Sequence, residues 1–219
     1  GNDTDGLQGF TVGTDSAFAA VSGAPAARQL AVIRDFVVTG NVSYSGGTHR
    51  SRVRWSSIND ATSWTIGTNQ ADFQDIPDAG QITGLVGGEY GVVLLEKAIA
   101  RMQYVGSPLI FTFEKVETNH GCNYPNSVAS LGASQVFYLA DDGFFMFNGQ
   151  KSIPIGAEKV DQFFFDDLDF DNSDRITCTI DPENQCVMWG YPSISGVGNP
   201  DRIIVYNYAV QKWSFVELD

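Results

Sequence analysis

The sequence predicts an all-β protein with a β-propeller-like architecture of about four blades, each built from four antiparallel strands. Three observations lead to this prediction. Short apolar segments alternate with turns rich in Gly, Asp and Asn. The second segments of successive groups begin near Phe36, Gly91, Gln135 and Gln185, a period of roughly 45–55 residues that is typical of propeller blades. The second segment Val92–Leu95 is apolar throughout, which favours a strand covered on both faces.

The clearest group of strands lies between Asn126 and Ile155. Its strands are predicted at 126–131, 135–140, 144–147 and 151–155. Asp142-Gly143 and Asn148-Gly149 are typical of hairpin turns, because glycine accepts the positive φ angles of a tight loop.

Three further groups follow the same order of strands. One has strands at 81–86, 91–96, 98–103 and 109–113, and another has strands at 175–180, 185–189, 202–207 and 212–216. The first group is looser, with strands at 27–33, 36–39, 52–56 and 63–66. Trp64, Phe111 and Trp213 stand at similar positions of the outer strands, so we expect them to pack between blades. The alternative is that they are core aromatics of another sandwich.

These groups define the predicted organisation of the chain. Residues 1–23 are predicted as an N-terminal arm, with a strand at 17–21 that would be the remnant of a preceding blade. Residues 24–219 form the propeller-like domain, with repeats at approximately 24–78, 79–120, 121–174 and 175–219. Helical spacing of apolar residues predicts one short inserted helix over 157–168.

The composition is that of an acidic globular protein. The chain has 219 residues, a formal net charge of −13, 43% hydrophobic and 18% charged residues, so it has the means to bury a core. This charge argues against binding nucleic acid through a phosphate-neutralising surface, but a negative wall would let DNA slide past it. The alternative is that the acidity only keeps the protein soluble. No membrane-spanning segment is predicted. Because the first residue is Gly1, the sequence is expected to be a fragment or a processed product.

Three cysteines, Cys122, Cys178 and Cys186, are too few for a disulfide framework and match no zinc motif. Free buried thiols are expected, with pairing of Cys178 and Cys186 across a hairpin as the alternative.

The strongest local charge feature is the acidic run 166–174. Asp167, Asp169 and Asp171 follow the Asp-x-Asp-x-Asp start of a calcium loop, and they are the candidate ligands of a Ca²⁺ ion. The rest of the EF-hand pattern is missing, because Asn172 replaces the glycine and Cys178 replaces the bidentate glutamate. A solvated acidic loop is the alternative, and no other cofactor is predicted.

Catalytic motifs are not found. The two histidines, His49 and His120, lie in Gly-rich turns, and no Gly-x-Ser-x-Gly elbow or phosphate-binding loop is present. A glycosidase would use two carboxylates at a suitable distance, and the candidates are Asp35, Glu89, Glu96 and Asp181. We therefore predict that the chain is not an enzyme.

Several segments resemble tail proteins of bacteriophages. They are Arg52–Ser56 with Asp60–Trp64, Ile82–Leu85 with Val92–Ile99, Gly121–Val128 with Phe137–Phe144, and Ile204–Tyr208 with Lys212–Ser214. The resemblance covers roughly residues 50–219 and is strongest to the distal tail-tube or nozzle proteins of short-tailed phages. The chain is shorter than those proteins usually are.

The resemblance implies a structural component of a virion tail. Copies of the chain would form a ring with one another, contact other phage tail proteins and surround the DNA exit channel, through which DNA passes during ejection without specific binding. The expected location is the virion, after assembly in the host cytoplasm. The alternative function is a carbohydrate-binding or glycoside-hydrolysing β-propeller, and a third is a monomeric interaction propeller on the host side.

Overall fold

The computed structural model describes residues 4–218. Strands account for 47% of the residues and helices for 6%, which confirms the all-β class. The strands form four four-stranded sheets and one two-stranded sheet. The chain divides into two compact units, Gly1–Lys115 and Val116–Asp219, and each is described by itself.

The N-terminal segment of the first unit carries the two-stranded sheet. Strand β1 (Gln8–Gly9) pairs antiparallel with β2 (Ala19–Ala20). The predicted strand at 17–21 therefore contains β2, and its partner is β1 of the same segment. Most side chains between residues 4 and 23 are exposed.

The first four-stranded sheet (sheet 1) contains β3 (Ala26–Ile33), β4 (Phe36–Tyr44), β5 (Gly47–Trp55) and β6 (Asp72–Asp75), in that order. The fourth strand predicted at 63–66 is wrong. Trp64 lies instead in a loop over 56–71, where its indole N–H donates to the Ala61 carbonyl over 2.9 Å and its own carbonyl accepts from Arg54 over 2.7 Å. These local hydrogen bonds satisfy polar groups of the loop without a neighbouring strand. The fourth strand of the sheet, β6, begins at Asp72, eight residues after Trp64.

Sheet 2 contains β7 (Ile82–Val86), β8 (Gly91–Leu95), β9 (Ile99–Gly106) and β10 (Ile110–Glu117), also in sequential order. Strand β8 is buried along its whole length, as its uninterrupted apolar sequence predicts. Its neighbour β7 is buried at four of five positions, and its neighbour β9 is buried at three of eight. Sheets 1 and 2 enclose one core that includes Phe36, Trp55 and Phe111.

In the second unit, sheet 3 contains β11 (Ala129–Ser130), β12 (Val136–Leu139), β13 (Phe144–Phe147) and β14 (Ser152–Pro154). Sheet 4 contains β15 (Thr177–Asp181), β16 (Cys186–Tyr191), β17 (Arg202–Asn207) and β18 (Lys212–Glu217). Both sheets keep sequential strand order. Their shared core includes Phe137, Phe144, Trp189 and Tyr206.

Two helices connect sheets 3 and 4, where one was predicted. Helix α1 spans Asp161–Asp167, and a 3₁₀ helix spans Phe170–Arg175. The predicted helix over 157–168 is too long at its start, because the Gly156 carbonyl accepts from the backbone N–H groups of Lys159 and Val160 in a turn. Within residues 4–218, no helix has the length and apolar character needed to cross a bilayer.

Candidate functional site

Two of the three predicted calcium ligands, Asp167 and Asp169, accept hydrogen bonds from other parts of the chain, and Asp171 donates its backbone N–H to Asp169. Asp167 ends α1 and accepts a hydrogen bond from the Tyr191 hydroxyl over 2.9 Å, while its Oδ2 lies 3.1 Å from Arg202 Nε. Asp169 caps the 3₁₀ helix by accepting from the Asp171 N–H over 3.1 Å and from the Asn172 amide over 2.8 Å. In the described part of the chain, no group of three His, Cys, Asp or Glu side chains is placed to hold a metal. The calcium site stays a prediction.

The two histidines lie in different surroundings. His49 is half-buried within β5 and faces Val42 of β4, so its prediction as a turn residue is wrong. His120 lies in a loop, with its ring 4.5 Å from the Phe145 ring and its Nε2 3.3 Å from Asp142 Oδ2. Phe145 and Asp142 therefore fix the position of this ring.

Glu117 is the second carboxylate beside His120, with Oε1 3.9 Å from His120 Nδ1. Burial acts to raise the pKa of Glu117, but the backbone N–H groups of Asn119 and Ser152, together with the Ser152 side chain and His120, outweigh burial and lower it. Glu117 is therefore held as a carboxylate that accepts hydrogen bonds. This is a structural role, since the Glu117 side chain joins the backbone of Asn119 to the start of β14 within the second unit.

The four carboxylates considered for glycoside hydrolysis lie in different surroundings, and two of them, Glu96 and Asp181, accept hydrogen bonds. Glu96 accepts from the backbone and the side chain of Gln81 over 3.2 and 2.7 Å. Glu89 lies 4.0 Å from Arg34 at the surface. Asp181 accepts from Asn184, which lowers the pKa of Asp181 and fixes the β15–β16 turn. Asp35 lies in the β3–β4 turn, where its carbonyl accepts from the Asn59 N–H over 2.8 Å.

The cysteines form no disulfide among the described residues. Cys178 faces Trp189 across the β15–β16 ladder, whereas Cys186 faces Asp181, so the two thiols are not cross-strand partners. Burial raises the pKa of the Cys178 thiol well above its ordinary value, so this thiol is inert at neutral pH.

Hydrogen bonds from long side chains join sheet 1 to sheet 2. The Gln29 amide donates to the Thr83 carbonyl over 3.0 Å, and the Asn41 amide donates to the Ile82 carbonyl over 3.0 Å. Asn41 has a φ of 55° and interrupts the β4–β5 register as a β-bulge, which is a common way to redirect a side chain. Trp55 adds an edge-on ring contact with Phe111 at 5.1 Å.

Two tryptophans join sheet 3 to sheet 4. The indole N–H of Trp189 donates to the Ser127 carbonyl over 2.9 Å, and that of Trp213 donates to the Ile155 carbonyl over 3.0 Å. Both indoles also contact the Phe144 ring, at 4.8 and 5.1 Å. The Ser127 hydroxyl accepts from the Leu139 N–H over 3.1 Å, so one serine supports both β12 and β16.

Arg54 is a buried cation that forms no ion pair with a carboxylate of residues 4–218. Its guanidinium lies 3.8 Å from the centre of the Tyr44 ring and 5.9 Å from that of Trp64, and one nitrogen donates to the Trp64 carbonyl. Its two other nitrogens, Nε and Nη1, have no hydrogen-bond partner in the described part of the chain. Cation–π contact in a desolvated site offsets part of the cost of burying this charge. Arg54 therefore holds the loop over 56–71 against sheet 1.

A concave apolar surface lies beside α1. A groove of about 300 Å³ is lined by Val160, Phe163, Ile204, Trp213 and Phe215, with Lys159 and Ser214 at its margin. Phe163 and Phe215 are 43% and 56% exposed, and their ring centres lie 5.4 Å apart. Sequence reasoning missed this groove, because it depends on where α1 lies against β17 and β18.

Asp161, in the first turn of α1, is a second feature that the sequence did not reveal. Its Oδ1 accepts from the Phe144 N–H over 3.1 Å. Partial burial raises the pKa of Asp161, the Phe144 N–H opposes that rise, and the nearby Asp142 carboxylate adds to it. An acid whose pKa is raised on folding stabilises the protein below its unfolded pKa, and that contribution is lost as the pH rises through the folded pKa.

We therefore expect Asp161→Asn, which keeps the acceptor oxygen and removes the charge, to be at least as stable as the wild type at pH 7. Any gain should shrink between pH 7 and a pH below the raised pKa of the wild-type carboxyl, where that carboxyl is protonated and neutral. Thermal unfolding between these pH values measures the difference, with Asp166→Asn at an exposed position as the control. A variant clearly less stable than the wild type at pH 7 would contradict this account.

Comparisons with known proteins identify no family for this chain. No protein-family model matches it, and no curated protein matches it. Among solved structures, it is similar to apo AztD from Citrobacter koseri, with a TM-score of 0.40 and 12% sequence identity. The match covers 92% of this chain and 61% of that chain, so this chain spans less than two-thirds of AztD. A likeness at this level assigns neither a family nor a function.

Proposed function

We propose that the chain is a structural component of a bacteriophage tail, of the distal tail-tube or nozzle type, and that it is not an enzyme. Its four sheets are the blades of a propeller-like fold. Copies of the chain form part of a ring around the DNA exit channel, together with other tail proteins. The sequential strand order within each sheet is that of a propeller blade.

The observation that best supports the proposal is the position of the segments that resemble phage tail proteins, because they lie where neighbouring sheets meet. Each segment supplies a contact between two consecutive sheets of one unit: the ring of Trp55, the carbonyl of Ile82, the carbonyl of Ser127 and the indole of Trp213. The Ile82 and Ser127 carbonyls and the Trp213 indole N–H are all engaged in hydrogen bonds within their own unit. The segments on which the resemblance depends therefore build a rigid scaffold.

The charge of the chain also supports the proposal. With a net charge of −13, a ring of copies presents a negative field to the phosphates of duplex DNA, which opposes binding and favours passage. The prediction is that the protein does not retain duplex DNA in a mobility-shift assay at about 50 mM salt. Retention that weakens as salt is added would show a phosphate-binding surface and contradict this part of the proposal.

Native mass spectrometry of the purified chain tests self-assembly. A ring predicts a discrete species of about six or about twelve copies that grows with protein concentration. The comparison variant is Gly87→Ala, whose destabilised first unit should lower the share of the assembled species. A distribution of open-ended sizes would argue against a closed ring.

Carbohydrate binding remains a second proposal, supported by the exposed rings of Phe163 and Phe215 beside Trp213. Aromatic faces of this kind pack against apolar surfaces of ligands. Binding on a glycan array that Phe215→Ala abolishes would favour it over the tail-ring proposal.

A further inference from the structure

The outer face of sheet 4 is the surface of that sheet turned away from the unit's core. Val187, Trp189 and Tyr191 of β16 are buried on the inner face. The strand registers place the alternate residues in three rows on the outer face. The rows are Thr177–Gly190–Ile203–Val216, Thr179–Met188–Val205–Ser214 and Asp181–Cys186–Asn207–Lys212.

The first two rows of the outer face carry no charge. Met188, Ile203 and Val205 are half-buried, Val216 is 48% exposed, and none of them belongs to either core cluster. Two copies of an acidic protein repel each other through their net charge, and this repulsion is weaker where the contacting surfaces carry no charge. The outer face is such a surface.

Strand β18 is the last strand of sheet 4 and lies at its edge. It is less protected against pairing with another chain than β6, β10 and β14, the last strands of the other three sheets. Strand β6 has four residues with Asp72 and Asp75 at its ends, and β14 has three residues with Pro154. Strand β10 carries Glu114 and Lys115, and the Lys115 ammonium donates to the Pro77 carbonyl. Strand β18 has six residues, with charges only at its ends. Short strands, proline and charges prevent unwanted pairing at an edge, and the middle of β18 lacks all three.

The third row gives the outer face a charge pattern that is complementary to itself. Asp181 stands at the β15 corner, where hydrogen bonds from Asn184 lower the pKa of its carboxyl, and Lys212 stands exposed at the β18 corner. A two-fold axis parallel to the strands exchanges β15 of one copy with β18 of the other and keeps each row in place. Asp181 of each copy then lies over Lys212 of the other.

The same operation matches the uncharged rows by size. Gly190 lies over Ile203 of the second copy, Thr177 over Val216, and Met188 over Val205. Ile203 thus meets a glycine and Met188 meets the smaller Val205, as in the interdigitated cores of β-sandwiches, whose sheets lie about 10 Å apart.

We propose that the outer face of sheet 4 binds the same face of a second copy about this two-fold axis, with two Asp181–Lys212 pairs at its corners. Strands of five or six residues give a face of about 20 Å by about 20 Å. Two such faces bury about 800 Å² in total, which is below the range of stable specific interfaces, so the contact is expected to be weak, with a dissociation constant on the order of 100 μM. The contact goes beyond the proposed ring, because a two-fold contact closes on itself. A ring that also uses it has dihedral symmetry.

Sedimentation velocity of the full chain, from about 1 to about 500 μM, tests the interface. The wild type should shift towards a dimer, or towards even-numbered assemblies, as the concentration rises. Val205→Lys places a cation near the axis in both copies and should weaken the contact by about 100-fold. Leu30→Lys, at a 56% exposed position of β3, is the matched control and should leave the assembly unchanged.

Charge reversal tests the orientation of the two copies. Lys212→Glu places two carboxylates at each corner and should weaken the contact about tenfold, and adding Asp181→Lys should restore most of the loss. Circular dichroism of each variant confirms that sheet 4 still folds. A wild type that stays monomeric at about 500 μM overturns the interface. A ring that Val205→Lys does not perturb also overturns it, but leaves the tail proposal standing. An isolated dimer without rings supports the interface and counts against the tail proposal.

Discussion

Gly87→Ala is expected to destabilise the first unit by about 3 kcal/mol. Gly87 lies between β7 and β8, where a Cβ atom would overlap the Val32 carbonyl oxygen and lie 3.0 Å from its carbonyl carbon. The backbone at Gly87 cannot move away from Val32 without breaking two hydrogen bonds. The Gly88 N–H donates to the same Val32 oxygen over 3.1 Å, and the Gly88 carbonyl accepts from the Arg34 N–H over 2.8 Å.

Urea unfolding followed by tryptophan fluorescence measures this effect, since Trp55 and Trp64 are buried in the first unit. Gly6→Ala is the matched control, because a Cβ there has no heavy atom within 4 Å. An unfolding midpoint for Gly87→Ala equal to that of the control would mean that the β7–β8 turn does not pack against β3 as described.

Trp189→Ala is expected to cost the second unit about 3–5 kcal/mol, because it empties a fully buried site between sheets 3 and 4. Trp189→Phe retains most of the ring volume and removes the N–H that bonds to the Ser127 carbonyl. Its expected cost is about 1–3 kcal/mol, the cost of leaving a buried acceptor unsatisfied.

Guanidinium unfolding monitored by near-ultraviolet circular dichroism separates the two variants. Phe215→Ala, at an exposed position of β18, serves as the control and should cost less than about 1 kcal/mol. If Trp189→Phe and Trp189→Ala lose the same free energy, the hydrogen bond to Ser127 dominates the site. If neither variant loses stability, Trp189 does not join the two sheets.

The strands were predictable wherever period-2 alternation and turn chemistry coincide. Asp142-Gly143 and Asn148-Gly149 fixed the hairpins around β13, and the uninterrupted run in β8 indicated a strand buried on both faces. The fourth strand of sheet 1 was missed because Trp64 suggested a strand core position. In the structure, Trp64 is buried against Arg54 and the rest of its own loop. The alternation of apolar and polar residues along the sequence does not report such a contact.

The connecting side chains could be predicted only in part. Trp213 was expected to pack between sheets on account of its position in an outer strand. Trp189 and Asn41 act over distances of 62 and 41 residues along the chain, which short-range patterns do not report. The outer face of sheet 4 was likewise invisible, because its rows depend on the registers of three strand pairs together.

Negative-stain or cryo-electron microscopy of the purified chain tests the central claim most directly. The account predicts closed rings with a central pore of about 20 Å, wide enough for duplex DNA, and acidic residues along the pore wall. Particles that stay single and compact at every concentration, and that bind a glycan through the groove beside Phe163 and Phe215, would contradict the tail-ring function and favour the carbohydrate-binding proposal.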